Sequence, residues 1–131
     1  MALKIKRYEK QDEAALFELI RSEGVEWQDY FCGFKLLGPY IAATNNSITY
    51  VAYDGDTLCG FVRARDDDGF GIYIYDLLVH QNYRGNSYGR ILMEQIGGNF
   101  PGSAIYVASD ADGYYEKLGY KKAGTVFTVK E

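Results

Sequence analysis

The run Ile72 to Val79 alternates β-branched, aromatic and leucine side chains. After His80-Gln81-Asn82-Tyr83 it enters Arg84-Gly85-Asn86-Ser87-Tyr88-Gly89-Arg90, and then Ile91, Leu92 and Ile96 follow at helical spacing. No other segment constrains the chain as strongly, because a strand apolar on both faces belongs inside a sheet and the helix after it must pack back on that sheet. A connecting turn that carries glycines can adopt dihedrals closed to other residues and bring its backbone close to a ligand. The N–H groups and positive dipole at the start of the helix make such a turn a seat for phosphate. Arg84 and Arg90 add positive charge here, in a chain whose formal net charge is −4. Two glycines near arginines also occur in ordinary loops. The segment lacks the Gly-Lys-Ser/Thr ending of a P-loop and the three-glycine spacing of a dinucleotide fingerprint.

Upstream, residues 3–8 read as a strand, and Asp12 as the N-cap of a helix that carries Leu16, Leu19 and Ile20 and stops at Gly24. Trp27, Tyr30, Phe31 and Phe34 stand at i, i+3, i+4 and i+7 and predict a second helix, ended by Gly38-Pro39. Residues 47–53 and 57–65 are strand runs joined by the hairpin signal Asp54-Gly55. The turn Asp66-Asp67-Asp68-Gly69 leads into the central run and completes a three-stranded antiparallel meander. Adjacent carboxylates in a turn are usually solvated, so no metal is expected there. Downstream, the helix after the loop should stop at Gly97-Gly98, with a strand at 104–108, a short helix at 111–118 and a final strand at 125–129.

At 131 residues and 47% hydrophobic content, the chain suits one core rather than two domains. The start MALKIKRYEK holds no apolar run long enough for a signal peptide or membrane span, so a cytoplasmic protein without membrane contact is expected. Cys32 and Cys59, with no Cys or His partner nearby in sequence, read as reduced core thiols. The fourteen Lys and Arg residues are dispersed rather than clustered, which argues against nucleic acid as a partner.

Residues 76–90, Asp-Leu-Leu-Val-His-Gln-Asn-Tyr-Arg-Gly-Asn-Ser-Tyr-Gly-Arg, resemble the signature of GNAT acetyltransferases, in which Arg/Gln-x-x-Gly-x-Gly/Ala binds the CoA pyrophosphate. Tyr114-Tyr115-Glu116-Lys117-Leu118-Gly119-Tyr120 is similar to the C-terminal Phe-Tyr-Glu-Lys-Leu-Gly-Phe segment of the same superfamily. The order of elements above fits as well, over essentially the whole chain. The resemblance implies one α/β domain over residues 1–131, with a central mixed, mostly antiparallel sheet of six to seven strands flanked by about four helices. It implies an acetyl-CoA-dependent N-acetyltransferase, without metal, that acts as a monomer or homodimer on a primary amine of a small molecule or a protein. A non-catalytic acyl-CoA-binding domain of the same fold is the alternative.

Carried onto this chain, the resemblance assigns a backbone N–H at the thioester carbonyl to Leu78 or Val79, and the pyrophosphate to Arg84, Gly85, Asn86, Ser87, Tyr88, Gly89 and Arg90. Tyr115 becomes the general acid, since a phenol of ordinary pKa about 10 can protonate a departing thiolate. The bland role for Tyr115 is packing a short helix on the sheet. Asp76 is a candidate general base, and equally a partner for Arg63 or Arg65 across the meander. His80 falls where the family has a loop residue without catalytic duty. Ser87 replaces the first motif glycine, and its hydroxyl is expected to cap the helix or donate to a phosphate oxygen. The acceptor pocket is expected from residues 25–46, whose aromatic side chains would suit an apolar or aromatic amine. The acidic surface would instead suit a polyamine or a lysine.

Overall fold

Asp54-Gly55 and the acidic turn each close a hairpin, and the three strands they join form the centre of the sheet. A computed structural model describes residues 3–24, 27, 34–109 and 111–130, without the side chains of 34–37. In chain order the elements are β1 (Leu3–Arg7), α1 (Glu13–Ser22), α2 (Phe34–Asn46), β2 (Ile48–Asp54), β3 (Thr57–Asp66), β4 (Ile72–Val79), α3 (Tyr88–Asn99), β5 (Ile105–Val107) and α4 (Asp112–Lys117). The five strands lie in sequence order across one sheet. Every pairing is antiparallel except β4 with β5, which is parallel. This is the mixed, mostly antiparallel α/β architecture expected, with four α-helices among the described residues.

Among the described residues the sheet has five strands, fewer than the six to seven expected. Residues 125–129 form no strand, and Val126, Phe127 and Val129 are 82, 80 and 98% exposed. Alternating apolar residues need a neighbouring edge to pair with, and sequence patterning does not supply one. The second helix runs past its expected end. Tyr30 and Phe31 lie outside the described residues, as do Cys32 and much of the expected acceptor region. Trp27 is set edge-on to Phe61, with centroids 6.0 Å apart. Gly38 and Pro39 do not end the helix but sit inside α2, on its exposed side. A proline there costs one intrahelical bond. Tyr40, Thr44 and the half-buried Ile41 pack against the sheet and hold the helix together across it. Gly97-Gly98 likewise fails to stop α3, which continues to Asn99 while the Asn99 amide hydrogen-bonds the Tyr50 hydroxyl.

Two apolar layers cover the sheet. On one face Leu92, Met93 and Ile96 of α3 meet Val62, Ala64, Ile72 and Ile74. On the other, Leu16, Phe17, Leu19 and Ile20 of α1 meet Val51, Phe61 and Leu78. A fully buried Leu or Ile such as Leu16, Ile20 or Leu92 contributes about 1.5–3 kcal/mol through burial.

Asp12 occupies the N-cap position of α1, yet its side chain does not cap that helix. The carboxylate turns inward and accepts from Lys6 Nζ at 2.8 Å, from Glu9 N at 2.8 Å and from the Tyr53 hydroxyl at 2.6 Å, tying β1 and β2 to the start of α1. Burial works against its charge, but these donors outweigh burial and hold its pKa below the ordinary value. Since the folded value is the lower one, this stabilisation is present above the unfolded pKa of about 4 and is lost as pH falls through the folded pKa. Denaturation midpoints between pH 5 and pH 2 should therefore fall more steeply for the wild type than for Asp12→Asn. Parallel slopes would refute the assignment.

Candidate active site

Tyr75 is an extra residue in β4. Arg63 of β3 pairs with Asp76 and Ala64 with Ile74, so the register shifts between them and Tyr75 bulges out. The bulge reverses the alternation of the strand. Ile72 and Ile74 face α3, and beyond the bulge Leu77 and Val79 face it, while Asp76 and Leu78 turn to the α1 and α2 side.

A second irregularity opens beside the first. β5 pairs with β4 only from Ile72↔Ile105 to Ile74↔Val107, with Ala108 N donating to Ile74 O at 2.9 Å as the last bond described. Past Ile74 the two parallel strands share no further pairing among the described residues. On the β3 side, His80 N donates to Cys59 O at 2.8 Å. Antiparallel ladders alternate, so Leu78 also directs its backbone to β3 and Val79 directs its N–H and C=O away, toward the β5 side. Of the two residues expected at a thioester carbonyl, Val79 is the one whose amide faces the opening. Gly60 lies against this point, and a methyl group there would stand 3.1 Å from Leu78 O and 3.2 Å from Leu92. Sequence reasoning passed over Gly60, because its demand comes from a neighbouring strand.

The glycine loop follows directly. Gly85 has φ +86°, a conformation natural to glycine. Ser87 also lies in the left-handed region, at φ 65° and ψ 20°, and its hydroxyl does not cap α3. The capping role expected for Ser87 is thereby corrected, and the reason is conformational: a cap residue needs an extended backbone to aim its oxygen at the first turn. A glycine suits this position because L side chains strain there by about 1–2 kcal/mol. Ser87→Gly should accordingly leave CoA affinity within about twofold and hold or raise stability, by up to about 1 kcal/mol. A clear loss in a thermal melt would contradict this.

Ile91 N donates to Ser87 O at 3.0 Å, so the first turn of α3 runs through Tyr88, Gly89 and Arg90, where a helix leaves N–H groups without intrahelical acceptors. A methyl group on Gly89 would stand 2.5 Å from the Tyr114 hydroxyl, so this glycine makes room for α4 as well as for any ligand. Burial pushes the Tyr114 phenol above its ordinary pKa, opposed by nearby Arg90. Asn86 donates to Tyr83 O at 3.1 Å and shapes the turn. Arg84 is engaged twice, by Nε to Val79 O at 3.0 Å and by an ion pair to Glu23 at the end of α1.

Tyr115 is half-buried on the α3 face, packed on the same cluster as Val79, Tyr83 and Tyr88. Its ring stacks on Tyr120 at 6.4 Å and meets Tyr114 edge-on at 5.0 Å. Asp76 lies on the opposite face. Its Oδ2 accepts from Arg63 Nε at 2.6 Å and from the Tyr40 hydroxyl at 2.8 Å; Asp76 and Tyr40 are buried and Arg63 is half-buried. Arg65, the other partner considered, is exposed and donates to Asn46 O at 3.4 Å. His80 Nδ1 accepts from Asn82 N at 3.1 Å and so shapes the turn before the loop. Tyr40 and Glu23 were not legible as partners, because each acts from a helix remote in sequence.

Similarity to known proteins extends over most of the chain. Residues 45–122, more than half of the chain, match the acetyltransferase (GNAT) domain family. A curated relative, the uncharacterized N-acetyltransferase ycf52 of Porphyra purpurea, is 30% identical over 70 residues, which make up 50% of this chain and 40% of that protein. The chain thus matches well under half the length of this relative. Among solved structures, the GNAT family acetyltransferase SP0256 of Streptococcus pneumoniae superposes with a TM-score of 0.72 at 23% identity, over 99% of this chain and 100% of that one. The PaiA N-acetyltransferase of Thermoplasma acidophilum, solved in complex with coenzyme A, gives 0.67 at 16% identity over 91 and 88%. From the opening between β4 and β5 to the turn after α4, sequence and fold agree, and the chain belongs to the GNAT acetyltransferase family.

Proposed function

We propose that the protein transfers the acetyl group of acetyl-CoA directly to a primary amine, in the cytoplasm and without a metal. The observation that carries this reading is the parting of β4 from β5 beyond Ile74, on the side to which the ladder alternation directs the Val79 amide, with Val79 and Tyr115 packed on the same apolar cluster. A thioester lying in that opening would set its carbonyl oxygen near the Val79 N–H, which stabilises the tetrahedral oxyanion. The diphosphate would meet the amides of residues 88–90, with Gly85 and Ser87 shaping the loop around it. Tyr115 would then protonate the departing thiolate.

Asp76 fits this scheme as half of an ion pair, since the oxygen that would take a proton from the amine already receives two hydrogen bonds. The amine then loses its proton to water. Among the described residues no cluster of His, Cys, Asp or Glu could hold a metal ion, and no helix is long and apolar enough to cross a membrane. Cys59 is a buried free thiol, and burial raises its pKa, as suits a core residue. A calorimetric titration with CoA, followed by a thiol-release assay with acetyl-CoA over a panel of alkyl, aromatic and polyamine acceptors, tests the reading. Saturable binding with amine-dependent release supports it, binding without release leaves only an acyl-CoA binder, and no binding refutes both.

A further inference from the structure

Arg84 opens the glycine loop, where a phosphate contact would be the simplest use of its charge, yet its guanidinium is already committed. Nε donates to Val79 O at 3.0 Å, and a terminal nitrogen pairs with the carboxylate of Glu23, sixty-one residues away in the chain. The Glu23 side chain is 11% exposed against 54% for Arg84, so the carboxylate is the sequestered member and the one that depends on its partner. A planar guanidinium can hold two acceptors at a fixed separation, which the compact ammonium of a lysine does not reproduce.

We propose that Arg84 is a strut and not a ligand of the pyrophosphate: it braces the Val79 peptide at the donor opening against the C-terminal end of α1. Three parts of the fold meet at this guanidinium. They are β4 through Val79, the glycine loop through the arginine's own backbone, and α1 through Glu23. The connection itself stands on geometry alone, whereas its consequence for acetyl-CoA rests on the acyl-transfer reading above.

Calorimetric titration of CoA into the wild type, Glu23→Ala, Arg84→Lys and the double variant separates the two roles. A strut predicts a similar weakening of about three- to tenfold in all three variants, with the double no worse than either single. It also predicts that Glu23→Ala and Arg84→Lys both shift the amide resonance of His80, whose peptide unit carries the Val79 carbonyl. A phosphate ligand predicts the opposite sign at Glu23, since removing the competing carboxylate would tighten CoA. In that case lysine would keep most of the affinity as a point charge, and the His80 amide would not respond to Glu23→Ala. Either of those results overturns the strut. If the wild type binds no CoA, the acyl-transfer reading fails separately, and the His80 response to Glu23→Ala alone decides whether the brace exists.

Discussion

Asp76→Ala is expected to destabilise the protein by up to about 3–5 kcal/mol, read from urea denaturation, because it leaves the Arg63 guanidinium, whose side chain is only 14% exposed, without its counter-ion. The Tyr40 hydroxyl loses its acceptor as well. A loss of that size is a large part of the roughly 5–15 kcal/mol that holds a domain of this kind folded. Arg63→Ala should cost a similar amount for the mirror reason. The double variant Arg63→Met with Asp76→Leu should recover most of the loss, since removing both charges together removes the uncompensated one. If Asp76→Ala instead leaves stability within about 1 kcal/mol while abolishing turnover, the carboxylate is a base and not a tie across the sheet.

Tyr115→Phe should lower kcat by about 10²- to 10⁴-fold in a thiol-release assay, the range by which a positioned general acid accelerates such a step. Phenylalanine keeps the ring that stacks on Tyr120, so CoA affinity should stay within about twofold and stability within about 1 kcal/mol. The adjacent Tyr114→Phe supplies the internal control. Its hydroxyl rests against the backbone at Gly89, so its loss should disturb loop packing and leave most of the turnover. Should Tyr114→Phe be the variant that stops the reaction, the proton donor is the neighbouring residue and the assignment of Tyr115 is wrong.

Local chemistry made much of this molecule legible. Asp54-Gly55 marked the hairpin of β2 and β3, and the helical spacing of Leu92 and Ile96 marked the buried face of α3. The departures share one physical origin. Gly38-Pro39 reads locally as a helix stop, but Tyr40 and Thr44 are buried against the sheet and tertiary packing outweighs the lost backbone bond. Residues 125–129 read locally as a strand, but the pattern carries no information about whether an edge is within reach. Ser87 reads as a cap, and only its φ of 65° shows that the hydroxyl points elsewhere.

From the sequence alone came the kinds and order of the elements up to α4, the phosphate-type loop and the family motifs. Each of these is written in spacings of a few residues, within reach of helical and strand periods and of turn chemistry. Tertiary structure alone decided that Asp76 is tied to Arg63 and Tyr40, that Val79 rather than Leu78 turns its amide to the opening, and that Arg84 reaches Glu23. Those outcomes depend on a one-residue bulge at Tyr75 and on contacts between residues up to sixty-one apart. A single inserted residue reverses which way every later side chain of a strand points, and no local pattern records which partner then waits on the other side.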